Sequence, residues 1–306
     1  MSARTFLGIE FGGTKLQIVV GDDTAAILAR RRLTAAKAEG ADGIRQQIAS
    51  ALPELLQEWH PAAIGVGFGG PVDWRNGRIA RSHQVEGWSD FDMAGWLREL
   101  AGLPVIVEND SNAATLAEAT RGAGAGSNPV FYFNLGSGVG GGLVVDGQIY
   151  HGQVPGEAEF GHLRLDKSGV TVEERCSGWA VDAQIRQLKA DGVKSLLCDA
   201  LPATPGGEAR RLPQALAAGD EAAHKIINEV AGDLAFALSH VTHLFHPEVI
   251  VLGGGLSLIG EPLRAAVATA LPHLVMEVFH GGPPIRLAAL GEDAVPMGAL
   301  LLAQNN

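Results

Sequence analysis

Only two cysteines, Cys176 and Cys198, occur in 306 residues. That excludes a disulfide-rich secreted scaffold and any zinc site built from four thiolates. Positive charge is scarce as well: 23 Lys and Arg stand against 34 Asp and Glu, for a formal net charge of −11. The longest basic run is Arg30-Arg31-Arg32. A nucleic-acid surface needs Lys and Arg to displace counterions, so no nucleic-acid partner is expected. No stretch of about 18 residues is free of charged groups, polar groups and glycine, so no membrane span is expected. Residues 1–5 show no charged region leading into an apolar stretch and a cleavage site, which points to a cytoplasmic protein. Glycine, by contrast, is abundant at 41 residues, without the strict period of collagen. Hydrophobic residues make up 46 %, too many for a disordered chain. The length exceeds what one core usually serves, so two domains are expected.

The apolar pattern supports that division. Residues 6–11 form a short run stopped by Gly12-Gly13, residues 16–20 a second, and residues 26–33 a third. Three strands with tight turns predict an antiparallel meander. In 42–59, Ile44, Ile48, Ala51, Leu52, Leu55 and Leu56 make one helical stripe, and Pro53 predicts a kink or a restart. Strands at 63–68 and 104–108 and helices at 91–100 and 111–121 complete the first half. The pattern then begins again, with strands at 130–135 and 139–145, helices at 179–190 and 221–245, and a strand at 247–252. A helix at 260–271, a strand at 285–290 and a closing helix at 295–304 follow. Both halves open on hairpin strands around a glycine-rich turn. The expected fold is a duplicated α/β domain with a cleft between the halves. Residues 1–120, with a closing helix at about 293–306, form the first domain, and 121–292 the second.

Three glycine clusters follow apolar runs directly: Gly12-Gly13-Thr14-Lys15, Gly136-Ser137-Gly138-Val139-Gly140-Gly141-Gly142, and Gly253-Gly254-Gly255. Such turns expose backbone N–H groups and let a phosphate approach where no Cβ intervenes. Thr14 and Ser137 add hydroxyls, and Lys15 adds charge. None is a Walker loop, and Gly12 and Gly136 lead into strands rather than helices, so neither is a dinucleotide fingerprint. Each also reads as a plain tight turn.

Glu108-Asn109-Asp110 sits where a strand gives way to a helix. Asn109 or Asp110 can serve as the helix cap, and a carboxylate at that edge can serve as a base. Glu159 and His162 are three residues apart and can converge on one ligand or belong to a surface loop. One histidine and one cysteine do not close a tetrahedral metal site, so no metal-ligating residue and no structural zinc are expected. His240, His243 and His246 share helical spacing that could bind a metal, although a helix surface or a dimer contact is the expected reading.

Taken together these segments resemble the ROK family of bacterial repressors, open reading frames and sugar kinases, in the actin/hexokinase-like superfamily. The resemblance covers nearly the whole chain. Residues 9–15 resemble the first phosphate motif, D-x-G-G-T-K, and residues 67–73 the G-x-P-G-x-V-D element. Residues 107–114 resemble V-x-N-D-A-N-A-A, 135–142 the second phosphate loop, 156–162 the G-x-x-G-E-x-G-H segment, and 251–255 the adenosine-side loop. The resemblance implies duplicated actin-like ATPase (ribonuclease H-like) domains and a glucokinase-like enzyme that uses ATP and Mg²⁺ to phosphorylate a hexose or amino sugar. It implies Asp110 as the general base. Gly70, Asn109, Asp110, Glu159 and His162 would hold the sugar, with Glu173, or Glu174 as the alternative. Glu10, Gly12, Gly13, Thr14, Lys15, Gly136, Ser137 and Gly138 would line the phosphates, and Gly254 and Gly255 the adenosine. A homodimer or homotetramer is also implied.

The chain departs from the family pattern in three places. Glu10 stands where aspartate is usual, one methylene longer. Gln84, by spacing to Trp88, stands where a sugar-contacting asparagine is usual. The zinc-binding run C-x-C-G-x-x-G-C is missing: Cys176 is the one cysteine between His162 and Ser177. The loop that zinc normally braces must then be held by packing, with Trp179 the candidate. These departures also admit a sugar- or nucleotide-binding protein of the same fold with little kinase activity. The repressor branch carries a helix-turn-helix ahead of the first strand, and five residues leave no room for one.

Overall fold

The computed structural model describes residues 4–12, 16–82, 85–156, 158–199, 201, 204–279 and 281–305. In chain order the first elements are β1 (Phe6–Phe11), β2 (Leu16–Gly21), β3 (Ile27–Leu33), α1 (Gly40–Trp59), β4 (Ile64–Phe68) and β5 (Val72–Asp73). Next come β6 (Arg78–Ile79), β7 (Phe91–Asp92), α2 (Met93–Ala101), β8 (Val105–Asn109) and α3 (Asp110–Arg121). The second half holds β9 (Val130–Leu135), β10 (Val139–Val145), β11 (Gln148–Ile149), α4 (Val172–Cys176), α5 (Gly178–Ala190) and α6 (Leu212–Ala217). It closes with α7 (Glu221–Phe245), β12 (Val249–Gly253), α8 (Glu261–Ala270), β13 (Ile285–Leu287) and α9 (Ala294–Gln304).

The chain divides into two compact units. The first comprises Met1–Thr120, Gln148–Glu157 and Glu292–Asn306, and the second Arg121–Gly147 and Ala158–Gly291. The sequence pattern groups 148–157 with the second half. After β11, however, His151 bonds Glu108 and stacks on Trp74, which draws that stretch to the first unit.

The sheet of the first unit has the order β3-β2-β1-β4-β8, antiparallel through β1–β2–β3 and parallel through β1–β4–β8. Alternation sorts its two faces. Leu7, Ile9, Phe11, Ile64, Val66, Phe68 and Val107 join Ile44, Ile48 and Leu52 of α1 and Met93 and Leu97 of α2 in one core. The opposite face carries glycines. A Cβ at Gly65 would lie 1.8 Å from the Ala299 carbonyl oxygen, and one at Gly8 would lie 3.0 Å from that of Pro296. Helix α9 thus rests almost directly on the sheet backbone. At Gly298 the same helix meets α3, where a Cβ would lie 1.9 Å from the Ala113 oxygen. Contacts this close leave room for glycine only.

The second unit repeats the topology, with its strands in the order β10-β9-β12-β13, antiparallel at β10–β9 and parallel through β9–β12–β13. Phe131, Phe133 and Leu135 pack with Val181 and Ile185 of α5 and Ile226, Val230 and Leu234 of α7. The duplicated α/β architecture agrees with the pattern of the sequence.

Three details differ. Helix α1 runs unbroken through Pro53. That residue is exposed, so water can satisfy the carbonyl it leaves unbonded. Strand β13 ends at Leu287 rather than near 290. A small antiparallel sheet, β5-β6-β7, had no alternation long enough to predict it. Among the described residues no helix is long and apolar enough to cross a membrane.

Candidate active site

The end of β8 places three polar residues in a row. Glu108 is 3 % exposed. Its Oε1 accepts the Asn109 N–H at 2.8 Å and Asn112 Nδ2 at 3.1 Å. The Asn109 Oδ1 in turn accepts the N–H groups of Ser111 at 2.8 Å and Asn112 at 3.1 Å. Asn109 is therefore the cap of α3, satisfying orphan donors of its first turn. Its Nδ2 donates to the Gly70 carbonyl at 3.1 Å. Capping by Asn109 leaves Asp110 as the first residue of the helix, half-buried, with the Ser111 hydroxyl 3.4 Å from Oδ1.

Two glycine turns meet this carboxylate. A Cβ at Gly69 would lie 3.3 Å from Asp110 Oδ2 and 3.3 Å from the Cα of Gly12. The Gly69 N–H donates to the Phe11 carbonyl at 3.1 Å, which ties the two turns together. Gly70 is equally confined: a Cβ there would meet Phe68 at 2.9 Å and the Arg81 carbonyl at 3.0 Å. Glu10 lies on β1 directly opposite Gln17 on β2, is buried, and accepts a hydrogen bond from Gln17 Nε2. Gly13, Thr14, Lys15 and Gln84 lie outside the described residues.

In the second unit the turn after β9 is braced from below. The Gly136 N–H donates to the Gly138 carbonyl at 2.9 Å, and the Gly136 carbonyl accepts the Gly178 N–H at 2.8 Å. The Val139 N–H donates to Glu173 Oε2 at 2.8 Å, and a Cβ at Gly138 would come within 2.5 Å of the same oxygen. Ser137 is half-buried at the apex. The turn after β12 abuts this one. Gly254 has φ +84°, and a Cβ there would lie 2.3 Å from Asn134 Oδ1 and 2.6 Å from the Leu135 carbonyl oxygen. Its carbonyl accepts the Ser257 hydroxyl at 2.7 Å, while Gly255 is exposed.

Glu159 and His162 flank the buried Phe160 on a short 3-10 turn, and both are exposed. Glu173 belongs to the glycine turn just described. Glu174 completes a capping box with Thr171, its Oε2 accepting the Thr171 N–H at 2.8 Å.

Trp179 is 60 % exposed and does not brace the shortened loop before α4. The loop closes instead as a small hairpin. Arg164 pairs with Thr171, and the Leu165 N–H donates to the Val170 carbonyl at 2.8 Å. At its tip Asp166 accepts the N–H groups of Ser168 at 2.7 Å and Gly169 at 3.2 Å. The Ser168 hydroxyl is the largest of the influences that hold the Asp166 carboxyl below its ordinary value. A local turn thus takes over the role expected of packing. Cys176 lies in the core, where burial pushes its thiol far up. His243 accepts the Met276 N–H at 3.2 Å through Nε2, while His240 and His246 contact the rings of Phe236 and Phe279. Among the described residues no group of three or more His, Cys, Asp and Glu is placed to hold a metal ion.

The ROK family model matches residues 6–306. The chain belongs to the ROK family. A glucokinase of Halalkalibacterium halodurans is 31 % identical over 97 % of this chain and 94 % of its own. The ROK hexokinase of Thermus thermophilus shares 30 % identity and superposes with a TM-score of 0.79 over 98 % of this chain and 97 % of its own. A ROK family glucokinase from Streptomyces griseus, solved with glucose and AMPPNP, is 26 % identical, with a TM-score of 0.84 over 99 % and 100 % of the two chains. This ROK chain carries polar partners that motif reading did not find. Gln17 was legible in principle, because a hairpin pairing Phe11 with Leu16 sets Gln17 opposite Glu10. His151 and Trp74 carried no signal, since 77 residues of sequence separate them.

Proposed function

We propose that the chain is an ATP-dependent hexose kinase in which Asp110 is the general base. One observation carries the assignment of the base: Asp110 Oδ2 borders the space left by the missing side chain of Gly69, beside Gly12. A carboxylate and two glycine turns at one point suit a sugar hydroxyl that is to meet a phosphoryl group. The family and the glucokinase relatives support the reaction.

In this reading Asn109 fixes the turn and Asp110 accepts the hydroxyl proton as the new O–P bond forms. ATP would supply the phosphoryl group, its bond from the γ-phosphorus to the bridging oxygen breaking as ADP leaves. Gly12, Gly136, Ser137 and Gly138 are assigned to the ATP phosphates, with the N–H groups of Ser137 and Gly138 as donors, and Gly254 and Gly255 to the adenosine. At Gly138 and Gly254 the absence of a side chain lets each turn close on its neighbours, Glu173 at the first and Asn134 and Leu135 at the second. Mg²⁺, held mainly by phosphates and water, would have Glu10 as its protein-side acid. Gly70, Gln84, Glu159 and His162 are assigned to the sugar. Glu173 acts on the nucleotide side, as the brace of the 136–139 turn.

The test is release of ADP from ATP and Mg²⁺ across glucose, mannose, fructose, allose, glucosamine and the N-acetylated amino sugars, against a buffer blank. Asp110→Asn should lower kcat by about 10²-fold or more while sugar binding persists. Unchanged turnover in that variant would remove Asp110 from the role. Binding of sugar with no turnover by the natural sequence would instead mark a binding protein.

A further inference from the structure

The first unit holds a second ionisable cluster that the reaction above does not use. His151 Nε2 lies 2.6 Å from Glu108 Oε2. The imidazole stacks on Trp74, with ring centroids 4.0 Å apart and planes 19° from parallel. Glu108 is buried, and its other oxygen is already taken by the Asn109 N–H and by Asn112 Nδ2. A buried carboxylate left without partners is costly, and His151 supplies the second oxygen's donor whether the ring is neutral or cationic. Trp74 follows β5, which begins just past Gly70, the residue whose carbonyl receives Asn109 Nδ2. A single ring therefore touches both segments that frame the Asn109–Asp110 turn. His151 itself lies on neither segment.

We propose that His151 is a positioning residue for sugar binding. It ties Glu108 to Trp74, and so holds together the two segments that carry Asn109 and Gly70, residues the kinase reading assigns to the sugar. This inference rests on the sugar-kinase reading. The cap formed by Asn109 does not involve the imidazole, so loss of the anchor should leave the base in place and loosen the sugar side.

The experiment compares the natural sequence with His151→Ala, His151→Phe and His151→Gln by steady-state kinetics, equilibrium sugar binding and thermal melting. His151→Ala should raise the sugar KM and weaken equilibrium sugar binding by about tenfold or more, with kcat within about threefold. His151→Phe keeps the ring on Trp74 and loses the donor, so it should behave like alanine in KM while melting closer to the natural sequence. His151→Gln restores an N–H and should recover most of the KM. A sugar KM and affinity within about twofold of the natural sequence in His151→Ala would overturn the proposal, as would a fall in kcat without a change in KM. If alanine prevents folding, the phenylalanine and glutamine variants decide by the same criteria. Absence of turnover in the natural sequence defeats the kinase reading alone. Sugar affinity then remains the readout for His151, and no sugar binding at all overturns both.

Discussion

At the scale of single residues, the site is a set of short polar side chains whose obligations are divided. Asn109 caps, Glu108 ties the turn, and Asp110 faces the two glycine turns. Glu10 shows how one longer side chain is accommodated. Its extra methylene carries the carboxylate across the hairpin to Gln17, itself 5 % exposed. Replacing Gln17 with Leu removes a donor from a buried carboxylate, and we expect a loss of about 1–3 kcal/mol in urea unfolding. Glu173 permits a sharper test between two assignments. Sequence likeness puts it on the sugar, whereas its bond to the Val139 N–H puts it under a phosphate-type turn. Glu173→Ala should therefore raise the nucleotide KM more than the sugar KM when both substrates are varied. The reverse split would return Glu173 to the sugar.

At the scale of elements, glycine decides the packing. Gly65→Ala and Gly298→Ala drive a methyl group into backbone carbonyls where α9 meets β4 and α3. Each should cost about 3 kcal/mol or more, read as a lowered midpoint of thermal or urea unfolding. Gly232→Ala offers the contrast: it lies within α7 with open space around it, and should stabilise by up to about 1 kcal/mol. The same elements show what could be read in advance. Strands β1, β4, β9 and β12 announced themselves, because each is a continuous apolar run closed by glycine. Long helices such as α7 did so through their period. The small β5-β6-β7 sheet did not, since two-residue strands carry no alternation. The hairpin before α4 was also missed: it depends on Asp166 receiving local N–H groups, and the expectation looked to Trp179 for packing instead. Asn109 and Asp110 were found as a pair, but their division of labour rests on the direction of one amide, which spacing does not reveal.

At the scale of the whole molecule, several carboxylates link stability to pH. Burial pushes Asp220 up, but the N–H groups of Ala223 and Leu196 and the Ser195 hydroxyl outweigh it and hold the carboxyl below its ordinary value. Glu208 is likewise raised by burial and brought below its ordinary value by Arg186, 2.5 Å away, and the Gly206 N–H. A carboxyl lowered in the folded state favours folding above its ordinary value, and that contribution is lost as pH falls through its folded value. The midpoint of thermal unfolding should thus drop as pH is taken below the ordinary carboxylate range. Asp220→Asn should melt lower than the natural sequence at neutral pH, with the difference shrinking in acid. Helix α9 has a different consequence at this scale. It is the lid of the sheet that holds β1, β4 and β8, yet it follows the whole second unit in the chain. On the ribosome, β1, β4 and β8 must wait with one glycine-studded face bare while the entire second unit is made. The second unit, apart from the excursion at 148–157, is contiguous and can settle first. Translation therefore completes the two units in the reverse of their order along the gene, and the nascent first unit is the stage at which aggregation or chaperone capture would intervene.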